Sequence, residues 1–234
     1  MKRQRLIALS LLLLAVLPAR AQQKDNTYDN LIAATPDEVI QLRGITRIGY
    51  GFHLVRSHDF TAGPSGEFFM NVLTLRMFPH DNLAIDLGLE AEYNFASSKR
   101  NFFYLDGDRQ VRTAGFDGID SHASSHSSSL DVFTINLPLL AKFMVGNVCL
   151  GIGAEGGFNV TGSTSYRYRV DNRTTRVTES RAKLNVFSYG LTAMADYKGA
   201  GLYVKFYPGA SSRLLPAGGT DLRYWTLGIV LSME

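Results

Sequence analysis

A single cysteine, Cys149, stands in the 234 residues. It has no partner for an internal disulfide, and there is no thiolate framework for zinc or an iron–sulfur cluster. Five histidines are scattered along the chain, and their spacing compels no metal site. There is no Walker loop and no dinucleotide fingerprint, so no nucleotide cofactor is expected. Beyond residue 21 no run of about twenty apolar residues occurs, which excludes a membrane-spanning helix after that point. Charge is sparse too, at 19% of residues, and its small formal excess of +3 is misleading. Four of the positive charges, Lys2, Arg3, Arg5 and Arg20, belong to the first 21 residues.

Those residues read as an export signal. A positive start precedes the apolar run Leu6 to Leu17, and Ala19-Arg20-Ala21 is a small-x-small cleavage site. Without residues 1–21 the formal charge is −1, so the basic isoelectric point implies no nucleic-acid partner. Gln22, not a cysteine, stands directly after the cleavage site, so a lipid-anchored N-terminus is not expected. Residues 22–42 are polar and mixed, a periplasmic segment with a short helical turn near Pro36–Gln41. Residues 43–234 read as one domain.

What the chain does have is alternation. Leu83 to Phe95, LAIDLGLEAEYNF, sets Leu83, Ile85, Leu87, Leu89, Ala91, Tyr93 and Phe95 against Ala84, Asp86, Gly88, Glu90, Glu92 and Asn94. Side chains on a strand change face at every residue, so this is one long strand with one apolar face. Seven more strands follow the same rule, at about 45–55, 67–78, 130–145, 148–160, 184–197, 202–207 and 223–233. The second is the least regular, because Phe68, Phe69 and Met70 blur the period. Pro79 to Asn82, Gly146-Asn147 and Lys198 to Ala200 make tight turns, and the connections between them are long. Short and long connections alternate, the pattern of an outer-membrane barrel with periplasmic turns and external loops.

The faces of the strands separate a membrane barrel from a soluble lipocalin-like one. A water-facing sheet surface is normally rich in Lys, Glu and Thr. Here the polar face is mostly Gly, Ala, Ser, Thr and Asn, which suits the crowded lumen of an eight-stranded barrel. Strand parity points Arg47, Arg76, Lys142 and Lys205 into that lumen, with Asp86, Glu90, Glu92, Glu155 and Asp196. Buried charges must be paired, and these nearly balance. Arg76 and Asp86 flank one tight turn, Asp196 and Lys205 another. Tyr93, Phe95, Phe133, Phe143, Phe158, Tyr197 and Trp225 fall near strand ends on the apolar face, as interfacial girdles do.

Together with LGLEAEYNF, the segment INLPLLAKF (Ile135–Phe143) resembles the PorT-like outer-membrane β-barrel proteins of Gram-negative bacteria. The resemblance spans about residues 43–234. It implies an outer-membrane location and, for one member type, a part in protein secretion across that membrane. Such proteins usually end in an aromatic residue, whereas this chain ends Leu231-Ser232-Met233-Glu234.

Catalysis has weak candidates. His122, His126, Ser127, Ser128 and Asp131 lie in a Ser-rich stretch and would need to converge as nucleophile, base and orienting acid for a lipid-A-modifying enzyme. His53 and His58 read as rim or loop residues. The polar segment 161–181 carries Arg167, Arg169, Arg173, Arg176 and Arg181, whose guanidinium forks suit the phosphates of lipopolysaccharide. The sequence thus predicts an all-β, eight-stranded antiparallel up-and-down transmembrane barrel, without cofactor, metal or catalytic residues. It is expected to be a monomer among outer-membrane lipid and lipopolysaccharide, with a structural or interaction role toward an envelope protein. A soluble periplasmic binding barrel is the other alternative.

Overall fold

The computed structural model describes residues 40–57, 59–98, 100–118, 124–171, 173–208, 214–216, 218–220 and 222–233. The export signal, most of the 22–42 segment, His58 and His122 lie outside them. The strands are β1 (Ile40–Arg43), β2 (Arg47–Arg56), β3 (Gly66–His80), β4 (Leu83–Ser98), β5 (Asn101–Leu105), β6 (Val111–Gly115), β7 (Ser124–Val145), β8 (Val148–Val170), β9 (Arg173–Ser180), β10 (Phe187–Tyr197), β11 (Ala200–Phe206) and β12 (Arg223–Ser232).

Eight of them close a ring in the order β3-β2-β12-β11-β10-β8-β7-β4, with β4 pairing back onto β3. Every junction is antiparallel. Closure leaves no ring strand with an unpaired backbone edge, which is what allows a sheet to cross hydrocarbon. Three tight turns share one end of the ring. At Lys198-Gly199 both residues have positive φ, 52° and 83°, the twist that suits a two-residue hairpin. The first and last ring strands meet at this end, where the Met233 amide donates to the Thr46 carbonyl at 2.8 Å.

The N-terminal edge corrects one expectation. Gln41 is not in a helical turn: β1 is a strand and pairs with Thr74–Met77 of β3, below the stretch of β3 that pairs with β2. It extends the line of β2 after an interruption at Gly44–Thr46, where buried Thr46 lies against Asn71 and Thr74. Backbone at the end of a barrel is best satisfied by continuing the ladder. The isolated pattern of residues 36–41 could not show that β3 offered a free edge.

The blurred second strand also has a physical cause. Between Asn71 and Leu73 the pairing with β4 slips by one residue, leaving Val72 as a β-bulge. Glu67, Phe69 and Asn71 are buried before it, and Thr74 and Arg76 after it. An extra residue exchanges the faces of the strand, so no single parity fits β3.

The barrel is apolar outside and polar inside. Phe52, Leu54, Leu139, Ile152, Leu191, Leu202, Leu227 and Ile229 are exposed, while charged residues fill the lumen. A band this broad has no place in water, and it reads as the lipid-facing surface. The girdle candidates lie on that surface, with Trp225 against Phe206 at 4.3 Å between ring centroids and Phe158 against Phe187 at 4.6 Å. Cys149 points the other way and is buried within the wall, reduced and without a disulfide.

At the loop end the long connections fold into an apolar lid. Phe60 comes from the first, Phe103 and Val111 from the β5–β6 hairpin in the second, Ala182 from the third, and Leu214, Leu215 and Leu222 from the fourth. They pack on Ala96, Leu130, Val132 and Tyr224 of the barrel wall. Hydrogen bonds tie the connections to one another: the Asn185 amide to the Leu214 carbonyl at 3.0 Å, and the Thr220 amide to the Val111 carbonyl at 2.9 Å. The stretch 97–129, between two predicted strands, therefore holds a hairpin and the upper reach of β7.

Deleting Val72 removes the extra residue and leaves Glu67, Phe69, Asn71, Thr74 and Arg76 on one inward face of a regular strand in unchanged register with β4. The expected outcome is a retained folded, faster-migrating band in an unheated detergent gel. Loss of that band would show that the barrel needs the local twist of the bulge itself.

Candidate functional site

The lumen is organised around two cations. Near the turn end, Arg76 clamps Asp86 with Nε to Oδ1 at 2.7 Å and Nη2 to Oδ2 at 2.8 Å, and Lys142 Nζ approaches the same carboxylate at 3.1 Å. β3, β4 and β7 each supply one member, and adjacency in the ring brings them together. This planar two-bond fit is the strong form of an ion pair.

Farther up, Lys205 of β11 lies among four carboxylates. Its Nζ is 3.3 Å from Glu67, 3.2 Å from Glu90, 2.5 Å from Glu92 and 3.3 Å from Glu155. It also sits 4.6 Å over the Phe69 ring. One ammonium cannot neutralise four carboxylates, and neutral donors supply the rest. Tyr203 and Thr226 hydroxyls each donate to Glu67 at 3.0 Å, and Tyr207 donates to Glu155 at 3.1 Å. Asn94 and Asn136 donate to Glu92 at 2.6 and 3.0 Å. Arg47 stands 3.6 Å from Glu90. The space left among Arg47, Phe69, Glu90, Glu155, Met194 and Lys205 is about 10 Å³, room for no more than about one water.

All nine residues that parity directed inward are buried. Their partners differ in part from those suggested by turn proximity. Asp196 does not meet Lys205 but accepts from Ser232 at 3.4 Å, and Lys142 joins the Arg76–Asp86 pair. Glu67 is the residue that sequence reasoning missed. Counted back from Arg76 at odd separation it falls on the outer face, and only the Val72 bulge brings it in. A carboxylate beside three consecutive bulky apolar residues was the signal that the period breaks there.

Outside the membrane span, the Arg pattern resolves into a hairpin. β8 runs on to Val170 and pairs with β9, with Arg167 opposite Arg176 and Arg169 opposite Thr174. Arg173 is opposite Val170 on the other face, and Arg181 follows the hairpin with φ 64°. In the neighbouring β5–β6 turn, the Arg112 guanidinium 2.8 Å from Asp106 holds that carboxyl below its usual range. Among the described residues, the catalytic candidates engage separate partners; His122 lies outside them. His126 stacks on Phe116 at 4.6 Å, while Asp131 accepts from Tyr93 at 2.6 Å and from Ser129 at 3.1 Å. Ser128 donates to the Ser165 carbonyl at 3.1 Å. His53 faces the lumen and shares a hydrogen bond with Thr226 at 2.9 Å. Among the described residues no group of three His, Cys, Asp or Glu is placed to hold a metal ion.

Fold and lumen together define a filled, eight-stranded barrel of the outer-membrane type. No family model matches the chain, and no curated protein matches it. Among solved structures it is similar to Ail, the attachment invasion locus protein of Yersinia pestis, crystallised with the heparin analogue sucrose octasulfate. The identity is 9%, the TM-score 0.36, and the match covers 81% of this chain and 97% of Ail. A mutant porin of Rh. blastica matches at 11% identity and a TM-score of 0.15, over 83% of this chain and all of the porin.

Asp86→Ala leaves Arg76 and Lys142 buried beside an empty place. It is expected to destabilise the barrel by about 3–5 kcal/mol in urea titrations in micelles. A change near zero would mean that water reaches the site. Lys205→Met should cost at least as much, because four carboxylates then face one another. Adding Glu67→Gln to it should restore part of the loss, and no recovery would separate Glu67 from the network.

Proposed function

We propose that the protein is a non-catalytic outer-membrane barrel that works through its external surface. The observation that supports this most is the filled lumen beneath an apolar lid. Among the described residues the luminal side chains pack closely and no nucleophile is assembled, so the parts left to act are the connections and the β8–β9 hairpin outside. The apolar exterior argues against the soluble periplasmic alternative, whose outer face would be polar. Eight strands leave no aqueous channel.

In planar bilayers the purified protein is expected to show no conductance steps. In cells it should fractionate with the outer membrane and run with heat-modifiable mobility. Release by osmotic shock without detergent would overturn the membrane reading, and steady single-channel currents would overturn the closed lumen.

Two finer readings belong with this one. The PorT-like character of INLPLLAKF supports a part in protein secretion, as a barrel that an envelope partner holds. Deletion should then cause exported proteins to accumulate in the periplasm, and normal export would remove this role. The second concerns lipopolysaccharide, which we propose as a contact of the basic β8–β9 hairpin. The lipid-modifying alternative predicts a lipid A mass change on deletion that His126→Ala and Asp131→Ala reproduce. Given the separate engagements of those two residues, both variants are expected to leave lipid A unchanged.

A further inference from the structure

The lipopolysaccharide reading can be narrowed to particular residues and to one part of the glycolipid. In an antiparallel pair, residues directly opposite share a face. One face of the β8–β9 hairpin carries Thr164, Tyr166 and Tyr168 with Glu179 and Val177. The β5–β6 hairpin covers that face: Phe102 packs on Tyr166 at 4.8 Å, and the Leu105 amide donates to Glu179 at 2.8 Å. The other face carries Ser165, Arg167 and Arg169 with Thr178, Arg176 and Thr174. It continues the outward side of the barrel, since Thr164 on the covered face is buried like the luminal residues below it.

Three features of this bare face call for an anion. Arg167 and Arg176 are directly opposite, and like charges so placed destabilise a hairpin. Among the described residues, none of Arg167, Arg169 and Arg176 makes an ion pair. Their surroundings are hydroxyls that donate or accept: Ser127 of β7 pairs with Arg167, and Ser165 and Thr178 lie one step below. An anion between the two guanidiniums would turn the repulsion into two charge-assisted contacts.

Height selects the anion. Phe133 pairs with Thr161 at the aromatic girdle, and six residues of strand separate Thr161 from Arg167. At about 3.3 Å per residue and a tilt of about 40°, Arg167 stands about 15 Å above the girdle. The phosphates of lipid A lie at girdle level. The sugar chain above them carries further phosphates and carboxylates at the height of the arginines.

We propose that Arg167, Arg169 and Arg176 form a binding face for the anionic core sugars of lipopolysaccharide, above the lipid A headgroup. This rests on the reading of the protein as an outer-membrane barrel. The test uses the full-length mature protein in detergent micelles, with two probes: lipopolysaccharide bearing a phosphorylated core, and lipid A alone. The triple variant Arg167→Gln/Arg169→Gln/Arg176→Gln is expected to bind the core-bearing probe at least about tenfold more weakly, the equivalent of one charge-assisted contact. Arg173→Gln, on the other face, should bind like wild type. Lipid A alone should show no dependence on the three arginines. Heat-modifiable mobility checks folding; should the triple variant fail it, Arg169→Gln and Arg176→Gln singly are each expected to weaken binding about threefold.

Unchanged affinity in the folded variants overturns the proposal. So does an equal loss in Arg173→Gln, an equal loss toward lipid A alone, or arginine-dependent capture of an envelope protein without any effect on the glycolipid. If the protein fractionates with the outer membrane and binding fails, only this inference falls. If osmotic shock releases it, the outer-membrane reading falls first.

Discussion

The contact on which the barrel depends is Lys205 with its four carboxylates. β11 and β4 stand opposite each other in the ring, four steps apart in either direction. The Lys205 ammonium therefore reaches across the lumen to Glu90 and Glu92, and sideways to Glu67 and Glu155. No neighbouring pair of strands contains this interaction; it exists only when the ring is closed. In that sense the charges do more than fill space. A ring with one strand misplaced leaves several carboxylates in a dry interior, which is far more costly than a slipped apolar contact. A side-chain network can thus specify closure, while the backbone ladder holds each pair of neighbours.

Much of this was legible from residue order, and the limits are physical. Where a strand keeps strict period two, as in β4 and β10, inside and outside can be read directly, and Asp86, Glu90 and Glu92 fall in the lumen. Where one residue is inserted, as at Val72, the same rule misplaces everything on one side of it, and Glu67 was lost that way. Partners were harder than faces. Proximity to a turn suggested that Asp196 would meet Lys205. The barrel's stagger instead sends Lys205 upward to Glu155 and leaves Asp196 with Ser232. Stagger is a property of the closed sheet, and no single strand encodes it. The lid was invisible for a related reason. Phe60, Phe103, Leu214 and Leu215 come from separate connections, and nothing local marks them as one cluster.

Lumen and lid divide the labour of the molecule. The lower barrel is a closed solid, apolar where it meets lipid and charged within. The upper part is a small sheet of hairpins whose covered side is aromatic and whose bare side is basic. Such an arrangement separates stability from recognition. Arg167, Arg169 and Arg176 on the bare side are exposed, so these positions can vary without disturbing the packed lid.

The buried position of Cys149 gives the molecule a property of its own in an oxidising compartment. A lone thiol on a nascent envelope protein is open to oxidants and to mixed disulfides with other chains. Once the wall closes, this thiol lies inside it, 1% exposed. Burial in the closed wall thus keeps this thiol out of reach of solvent oxidants and of other chains.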